Sequence, residues 1–144
     1  MYSKAKQDSV ETPPFLWAWV KKHFGSTVYD PTPMNPMFDA AVHKDGLTTE
    51  WGRVTYCNPP YSRAQKFVQK GYQEYLLGKT VVLLVKVGVL GSQYFSKCPG
   101  AEVILFPSKI VFPGYLTPPR FHVCLLVYRA GQRSDKYSFF SGRQ

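Results

Sequence analysis

Four consecutive residues, Asn58-Pro59-Pro60-Tyr61, combine the amide, proline and aromatic side chains that can act on a planar amine. An exocyclic amine on an aromatic ring is a weak nucleophile because its lone pair is delocalised into the ring. Two acceptors aimed at its N–H groups favour the more nucleophilic, pyramidal nitrogen, and the side-chain oxygen of Asn58 and the carbonyl of Pro59 can supply them. Prolines hold such carbonyls rigidly without adding donors, and Tyr61 can stack on the ring.

The position of this motif supports the chemistry, although four residues alone do not decide it. Residues 53–57 are typical of a buried strand, and in open α/β sheets ligands bind beyond the carboxyl ends of strands. A Pro-Pro pair after a strand also serves as simple punctuation of the chain. The motif is therefore a hypothesis that needs support from the rest of the sequence.

The bulk composition indicates one basic, globular domain. The 144 residues are 44% hydrophobic and carry a formal net charge of +9, which favours polyanionic partners, nucleic acid before acidic membrane. Cys57, Cys98 and Cys124 form no CxxC pair and the histidines have no metal-ligand spacing, so no metal site is expected. We expect an intracellular, reducing compartment without membrane insertion, because no signal peptide is visible and the longest apolar run, residues 80–90, is too short to span a bilayer.

Apolar periodicity alternates between helical and strand-like segments. Thr12 is placed to cap a first helix that ends at Gly25, and Ser62 a second helix that ends at Gly78. The β-branched run at residues 80–87 is typical of a central strand buried on both faces. Other elements are expected as strands at residues 27–29, 53–57, 103–106, 109–112 and 122–128, and as a short helix at residues 92–97. Strands that alternate with helices early and cluster late predict an α/β fold, with a mostly parallel sheet and an antiparallel end.

Three parts of the chain are distinguished by composition. Residues 1–10 are polar and are expected to be a flexible segment, residues 11–128 carry the periodic elements of a single domain, and residues 129–144 form a basic tail. The connection at residues 34–50 has weak structure, and a loop of this length in a compact domain is usually functional or mobile.

Several short motifs occur in one order along nearly the whole chain, from about Glu11 to Tyr128. They are Thr12-Pro13-Pro14, Tyr29-Asp30-Pro31-Thr32-Pro33, Asp45-Gly46-Leu47 with Trp51, and Asn58 to Ser62. Together they resemble the phage-type DNA N-6-adenine methyltransferases, a compact Dam-like family found in phages and other viruses. Residues 79–85 look like a strand of that family, and residues 101–112 like its late hairpin.

This resemblance implies a minimal Rossmann-like methyltransferase fold that uses S-adenosylmethionine, with Asn58, Pro59, Pro60 and Tyr61 as the catalytic residues acting on a flipped-out adenine. Thr12 and Pro13 look like the N-terminal element that contacts the cofactor. Asp30 and Pro31 stand where the first strand meets it, and the Asp30 carboxylate is expected to pair with the ammonium of the methionine part. Asp45 is similar to a second acidic position, near the ribose or the base.

The sequence also departs from the family pattern. No Gly-x-Gly loop follows Tyr29, Lys86 stands at an apolar position, and residues 91–95 lack the acidic group of the family's Asp-Thr-x-Trp-Phe stretch. An inactive relative that serves as a nucleic-acid-binding or assembly component is therefore the alternative function, because fold does not settle function. Cytosine N4, RNA adenine and a glutamine amide also present the planar amine that the motif suits.

Basic residues near the motif are candidates for contact with nucleic acid, the expected partner. Ser62, Arg63 and Lys66 begin the helix beside the motif, where phosphate contacts are well placed, and Arg120 follows a Pro-Pro pair near the substrate side. Each also has a simpler interpretation, as a solvated helix face or a loop before a strand. Trp51 is expected to pack rather than to stack on a base. The sequence leaves open the target site, the oligomeric state, a protein partner and the host, whose cytoplasm or nucleus is expected if the chain is viral.

Overall fold

The computed structural model describes residues 10–32 and 46–142. Residues 1–9 of the expected flexible segment at residues 1–10, most of the long connection and the candidate residue Asp45 lie outside the described residues. In chain order, the elements are α1 (Pro14–Phe24), β1 (Val54–Cys57), a 3-10 helix (Tyr61–Arg63), α2 (Ala64–Leu76), β2 (Thr80–Lys86), a second 3-10 helix (Val87–Gly91), α3 (Gln93–Ser96), β3 (Glu102–Leu105), β4 (Val123–Tyr128) and β5 (Lys136–Phe139).

The five strands form one mixed sheet in the order β1-β2-β4-β3-β5. β1 pairs with β2 in parallel, β4 is antiparallel to both β2 and β3, and β5 is parallel to β3. The predicted α/β class and the antiparallel part of the sheet are confirmed, and two of the four strand pairings are parallel. In this register Cys57 at the end of β1 lies opposite Leu83, and Lys86 at the end of β2 lies opposite Val123 at the start of β4.

One helix covers each face of the sheet, and a core of apolar side chains fills each layer. α1 lies on one face, where Leu16 and Val20 are fully buried against Tyr56, and α2 lies on the other through Phe67 and Val68. β2 and β4 are covered on both faces, which explains their nearly continuous apolar sequences. Burial of this apolar surface is the main source of stability for the fold.

A buried carboxylate, Glu74, ties α2 to the segment before β1. It accepts a hydrogen bond from the backbone N–H of Trp51 at 2.7 Å and pairs with Lys79 at 3.1 Å and Lys70 at 3.3 Å. Desolvation raises the pKa of Glu74, but these donors together outweigh it and lower the pKa below its ordinary value. Trp51 is 2% exposed and donates its indole N–H to the carbonyl of Gly46, so its expected packing role is confirmed.

Both predicted helix caps are wrong. The N-cap of α1 is Pro13, and no side chain caps this helix; proline in the first turn leaves one fewer N–H to satisfy. The hydroxyl of Thr12 is therefore available for contacts elsewhere. α2 begins only after the 3-10 turn, with Arg63 as its N-cap, so Ser62 lies inside that turn instead of capping the helix.

Three strand predictions near the sheet edges also need correction. The strand and hairpin expected to end at residue 112 are wrong: Ile110 and Phe112 are buried and Val111 is 42% exposed, an alternation that imitates a strand. Both edges of β3 are occupied by β4 and β5, so this segment has no strand to pair with. β5 has no strand-like pattern in the sequence, because its residues are mostly exposed. The strand expected at residues 27–29 is reduced to one bridge, between Tyr29 and Thr55.

Candidate active site

The motif lies at the edge of the sheet where several connections meet. β1 and β2 are parallel, so Asn58 and Lys86 leave the sheet at the same edge, and β4 enters there because it is antiparallel to β2. Asp30 reaches this edge as well, since Tyr29 pairs with β1 through the bonds Tyr29 N–H to Val54 and Tyr56 N–H to Tyr29. The fold thus brings together residues far apart in sequence at the carboxyl end of β1, where α/β sheets bind ligands.

The side-chain amide of Asn58 is held in one orientation by two hydrogen bonds. Its Nδ2 donates to the backbone carbonyl of Val10 at 2.9 Å and to the hydroxyl of Thr12 at 3.2 Å. A carbonyl oxygen only accepts, so the atom facing Val10 must be the nitrogen, which settles the assignment of the two amide atoms. The oxygen Oδ1 points away from these partners, and within residues 10–32 and 46–142 nothing donates to it. Asn58 therefore presents an oriented acceptor.

Thr12 connects this amide to the core. Its hydroxyl lies 3.0 Å from the hydroxyl of Tyr56, a residue that is fully buried beneath α1. Burial raises the pKa of Tyr56 well above its ordinary value, despite the opposing hydrogen bond from Thr12. Tyr56 is therefore neutral at physiological pH and supports Thr12 as a fixed polar anchor. The cofactor-contacting role expected for Thr12 stays a prediction; the contacts described here lead to Asn58.

The three residues after Asn58 form a rigid turn. The carbonyl of Pro60 accepts the N–H of Arg63 at 2.9 Å, which closes the 3-10 helix. The buried Pro59 has no donor to its carbonyl among the residues that the structure describes. Only one of the two proline carbonyls is thus used by the turn, and the other remains an acceptor beside Asn58. This is the pair of acceptors expected from the sequence, although their alignment with a substrate stays a prediction.

Asp30 forms an Asx turn at the same edge. Its Oδ1 accepts the backbone N–H of Thr32 at 2.9 Å, and the Thr32 hydroxyl lies 3.4 Å from Oδ1 and 3.2 Å from the backbone carbonyl of Asn58. Desolvation raises the pKa of Asp30, and the hydrogen bonds from Thr32 only partly offset it. In the described part of the chain, no cation lies within ion-pair distance of this carboxylate. The turn interpretation is thus correct, and within the described ranges the desolvated carboxylate has no cation to balance it.

Pro31 brings the Asp30 turn against the end of the long connection. A Cβ added at Gly46 would stand 2.3 Å from the carbonyl oxygen of Pro31, a distance that only glycine permits. The two motifs that the resemblance assigned to the cofactor, around residues 30–31 and 45–47, therefore touch through Pro31 and Gly46. Asp45 itself lies outside the described residues. Pro13, which the resemblance also assigned to the cofactor, is buried at the start of α1.

Two aromatic rings and one cation form a cluster beside the motif. The rings of Tyr61 and Phe121 meet edge to face, with centroids 5.4 Å apart. The ammonium of Lys86 lies 5.2 Å from the centroid of Tyr61 and 4.4 Å from that of Phe121, within the range of cation–π attraction. This cluster fixes the direction of Tyr61, the ring expected to stack on a base.

The four basic or polar residues proposed for nucleic-acid contact are all exposed, which fits both of their interpretations. Ser62 and Arg63 lie in the 3-10 turn and Lys66 in the first turn of α2, close to the motif. The guanidinium of Arg63 lies 5.6 Å above the ring of Phe67, so it is oriented by its own helix. Arg120 precedes Phe121, which reaches the Tyr61 ring. Their contact with nucleic acid stays a prediction.

Four residues of this site are not assigned to it by sequence reasoning. Tyr56 and Thr32 act through hydrogen bonds that only the fold reveals, although Thr32 stands within one of the matching motifs. Lys86 stands out in the sequence only as a departure from the family pattern, and Phe121 carries no signal of its own. The parallel pairing of β1 and β2 is the signal that places Lys86 there, because the carboxyl ends of parallel strands meet at one edge of a sheet.

Other kinds of site are not visible in the described ranges. No group of three His, Cys, Asp or Glu side chains there could hold a metal ion. No described helix is both long and apolar enough to cross a bilayer. Desolvation raises the pKa of the buried Cys57 thiol, which lies next to Asn58, well above its ordinary value. This thiol therefore stays protonated and is not a nucleophile.

Comparisons with known proteins give one strong match. A family model described as DNA N-6-adenine-methyltransferase (Dam) matches residues 2–114. Among solved structures, a predicted O-methyltransferase from Agrobacterium tumefaciens is similar, with 19% identity and a TM-score of 0.41; the match covers 65% of this chain and 43% of that protein. No sequence match is found among curated proteins.

Proposed function

Because the chain belongs to the DNA N-6-adenine-methyltransferase (Dam) family, and is thus a member of a methyltransferase family, we propose that it transfers a methyl group from S-adenosylmethionine to N6 of adenine in DNA. One observation carries the proposal. Asn58 is held by Val10 and Thr12 through its nitrogen, so its oxygen is presented as an acceptor beside the carbonyl of Pro59. This arrangement suits the two N–H groups of an exocyclic amine.

The two acceptors act on the reacting nitrogen. When Asn58 Oδ1 and the Pro59 carbonyl accept its two N–H groups, its lone pair is drawn out of the ring conjugation and aimed at the methyl donor. Positive charge develops on this nitrogen during transfer, and acceptors fixed before the reaction stabilise it without reorganisation. The base must leave the duplex to reach these groups, and Tyr61 provides an aromatic face for it.

The described residues suit the expected cofactor. S-adenosylmethionine supplies, when bound, an electrophilic methyl group on a sulfonium centre, and its methionine part carries an ammonium. Asp30 has a desolvated carboxylate with no cation within reach among residues 10–32 and 46–142, and its pKa is raised by burial. An ammonium placed there would restore the balance of charge, so we assign this contact to Asp30. Thr12, Pro13, Pro31 and Asp45 are proposed to line the same cofactor region.

The proton released from the amine goes to water. Burial raises the pKa of both Tyr56 and Cys57, so these neighbours are protonated and neither can act as a base. The methylated amine is acidic enough before it loses its proton that no base with a tuned pKa is needed. For DNA as the partner, support comes from the net charge of +9 and from the exposed Ser62, Arg63, Lys66 and Arg120 around the motif.

Transfer of a labelled methyl group to unmodified DNA tests the proposal. We expect the wild type to label DNA and Asn58→Ala to lose at least about a hundredfold in rate, the cost of removing one preorganised group at a developing charge. Equal labelling by both proteins would refute the role of Asn58. Nucleoside analysis should give N6-methyladenine; N4-methylcytosine would change the substrate while keeping the chemistry.

Calorimetry separates this enzyme from the inactive alternative. Heat on titration with S-adenosylmethionine, together with transfer, supports the proposal. Binding of DNA without heat or transfer would support the nucleic-acid-binding alternative. The observation in favour of that alternative is the stretch at residues 91–93, which has no acidic group and where Ser92 accepts the N–H of Phe95 as the cap of α3.

A further inference from the structure

A groove of about 470 Å³ lies along α1, and no residue of the Asn58 motif lines it. Its wall on α1 is one helical face, whose members are three and four residues apart, and its other wall is the chain at residues 141–142, after β5. The residues of the helical wall are Phe15, Ala18, Trp19, Lys22 and His23. This face borders the buried face of Leu16 and Val20, so the groove runs along the line where α1 meets the sheet.

The groove has an aromatic interior. The rings of Phe15 and Trp19 both pack on Phe140, with centroids 5.8 Å and 5.3 Å apart. The imidazole of His23 lies 4.6 Å from the Trp19 ring, and its Nδ1 is 2.9 Å from the carbonyl of Trp19. Since a carbonyl only accepts, Nδ1 carries the hydrogen and Nε2 is left for a ligand. Flat apolar surfaces of this kind accept nucleobases, which offer a π-face whatever their identity.

The rim of the groove is cationic. Lys22, in the last turn of α1, lines the groove and is exposed, and among the described residues no carboxylate lines it. Lys21 of the same turn lies over the ring of Trp17 instead, 5.6 Å from its centroid. A concave surface with an aromatic interior and a basic rim matches the two parts of a nucleotide, the base and the phosphate. A duplex keeps its bases stacked inside, so this groove favours an unpaired strand.

The groove and the motif are joined by α1. Thr12, the partner of Asn58, stands two residues before the helix, and Lys22 stands eight residues after its first residue, Pro14. At 1.5 Å per residue these eight residues span about 12 Å, which one strand of B-form DNA spans in about four nucleotides. On this basis, which rests on the proposed function, we propose that the groove binds single-stranded DNA that continues from the target nucleotide. Its bases contact Phe15 and Trp19, and a phosphate contacts Lys22.

Intrinsic tryptophan fluorescence of the full chain during titration with oligothymidylate tests the groove. This probe has no adenine, so the measurement does not depend on methyl transfer. We expect quenching by the single strand, and affinity reduced about tenfold in Lys22→Glu because one phosphate contact becomes a repulsion. The matched control is Lys97→Glu, which changes the net charge equally but lies after α3 on the other face of the sheet; its affinity should change less than about twofold.

A second variant identifies the fluorophore. Trp19→Phe keeps an aromatic ring in the groove, and we expect it to bind oligothymidylate with most of the quenching lost. Of the other two tryptophans, Trp51 is buried, and Trp17 packs on Tyr56 and does not line the groove. Equal weakening by Lys22→Glu and Lys97→Glu, or undiminished quenching in Trp19→Phe, would overturn the proposal. Tighter binding of a hairpin duplex of equal length would also overturn it, as would anionic lipid vesicles that displace the oligonucleotide at equal charge.

The outcome is separable from that of the proposed function. Asn58→Ala, which removes an acceptor from the motif, should bind oligothymidylate like the wild type. Oligonucleotide binding through Lys22 without methyl transfer to any DNA would leave the groove established and the proposed function refuted. Methyl transfer without fluorescence quenching by oligothymidylate would support the proposed function and refute the role of the groove.

Discussion

Each end of the β1–β2 pair has a carboxylate nearby, and the surroundings of the two carboxylates are opposite. At the amino end Glu74 is surrounded by donors, with Trp51, Lys79 and Lys70 all within 3.3 Å, and its pKa is lowered. At the carboxyl end Asp30 accepts only from Thr32 among the described residues, and desolvation raises its pKa. The first arrangement is complete within the chain, whereas the second has no counter-charge among residues 10–32 and 46–142.

This difference separates structure from function within one sheet. A carboxylate whose partners are all supplied by the protein contributes to stability, and a desolvated one without a cation is a candidate for contact with a ligand. Glu102 supports this distinction, because it is paired with Arg129 at 2.6 Å and with Ser138 at 2.7 Å far from the motif. There too desolvation raises the pKa, but the hydrogen bonds outweigh it and lower the pKa below its ordinary value.

The largest effect is expected from Glu74→Ala, which should lower the free energy of unfolding by about 3 kcal/mol, because it leaves partly buried lysines and a buried N–H without their acceptor. Urea denaturation followed by circular dichroism measures this loss. Glu50→Ala is the matched control: Glu50 also pairs with Lys79, at 3.2 Å, but its side chain is 83% exposed, so its loss should stay below about 0.5 kcal/mol. Similar values for the two variants would contradict the structural role of Glu74.

Asp30→Asn should show the opposite pattern. We expect the free energy of unfolding to change by less than about 1 kcal/mol, since the amide oxygen still accepts from Thr32. Affinity for S-adenosylmethionine in calorimetry should fall about 10- to 100-fold, the range for a lost charge-assisted contact of about 1.5–3 kcal/mol. Unchanged cofactor affinity together with a large loss of stability would make Asp30 a structural residue like Glu74.

The contributions of Asp30 and Glu74 to stability are expected to change with pH in opposite directions. The folded-state pKa of Asp30 is raised, so its contribution to stability is present below the unfolded value and is lost as pH rises through the folded pKa. Glu74 has a lowered pKa, so its contribution is present above the unfolded value and is lost as pH falls through the folded pKa. Cofactor affinity needs ionised Asp30 and should weaken as pH falls through its raised pKa; Asp30→Asn should remove this weakening.

Features of the fold and the site could be predicted from the sequence when they depend on residues close together in the chain. The motif at Asn58, the course of β2 and the Asp30 turn were all readable, because each follows from adjacent residue types. The acceptors on Asn58 and Pro59 were also deduced from chemistry alone. The hydrogen bonds that hold the Asn58 side chain could not be deduced in this way. The bond from Asn58 to Val10 joins residues 48 positions apart, and no periodicity signals such a contact.

Strand pairing limited the prediction of the fold in the same way. The alternation of buried and exposed residues at 110–112 is a true property of that segment, but pairing depends on whether a sheet edge is free. β5 occupies the edge of β3 with a sequence that is mostly exposed. The tail at residues 129–144 was interpreted from its composition, and the strand within it is decided by the tertiary structure.

Thr12 tests whether the motif needs its anchor. Thr12→Val keeps the shape but removes the acceptor of the Asn58 amide, and the rate of methyl transfer should fall about tenfold, equivalent to about 1.4 kcal/mol. Thr12→Ser, which keeps the hydroxyl, should stay near the wild type. A positioning role lowers kcat with little change in the KM for S-adenosylmethionine. A rise in that KM at constant kcat would instead assign Thr12 to the cofactor, as the resemblance implies.

The smallest effect is expected at Lys86, where the site departs from its family. If the ammonium orients Tyr61 and Phe121, Lys86→Met should reduce methyl transfer about threefold, near the lower end of a cation–π interaction. Lys86→Arg keeps a cation over the rings and should retain most of the rate. If Lys86 acted by packing alone, Lys86→Met would keep the full rate. Loss of activity in Arg together with full activity in Met would therefore exclude the charge and leave the stem of Lys86 as the part that matters. In that case only one of the two charges at the carboxyl end of the β1–β2 pair, that of Asp30, would remain a candidate for a role in function, and the charge of Lys86 would not.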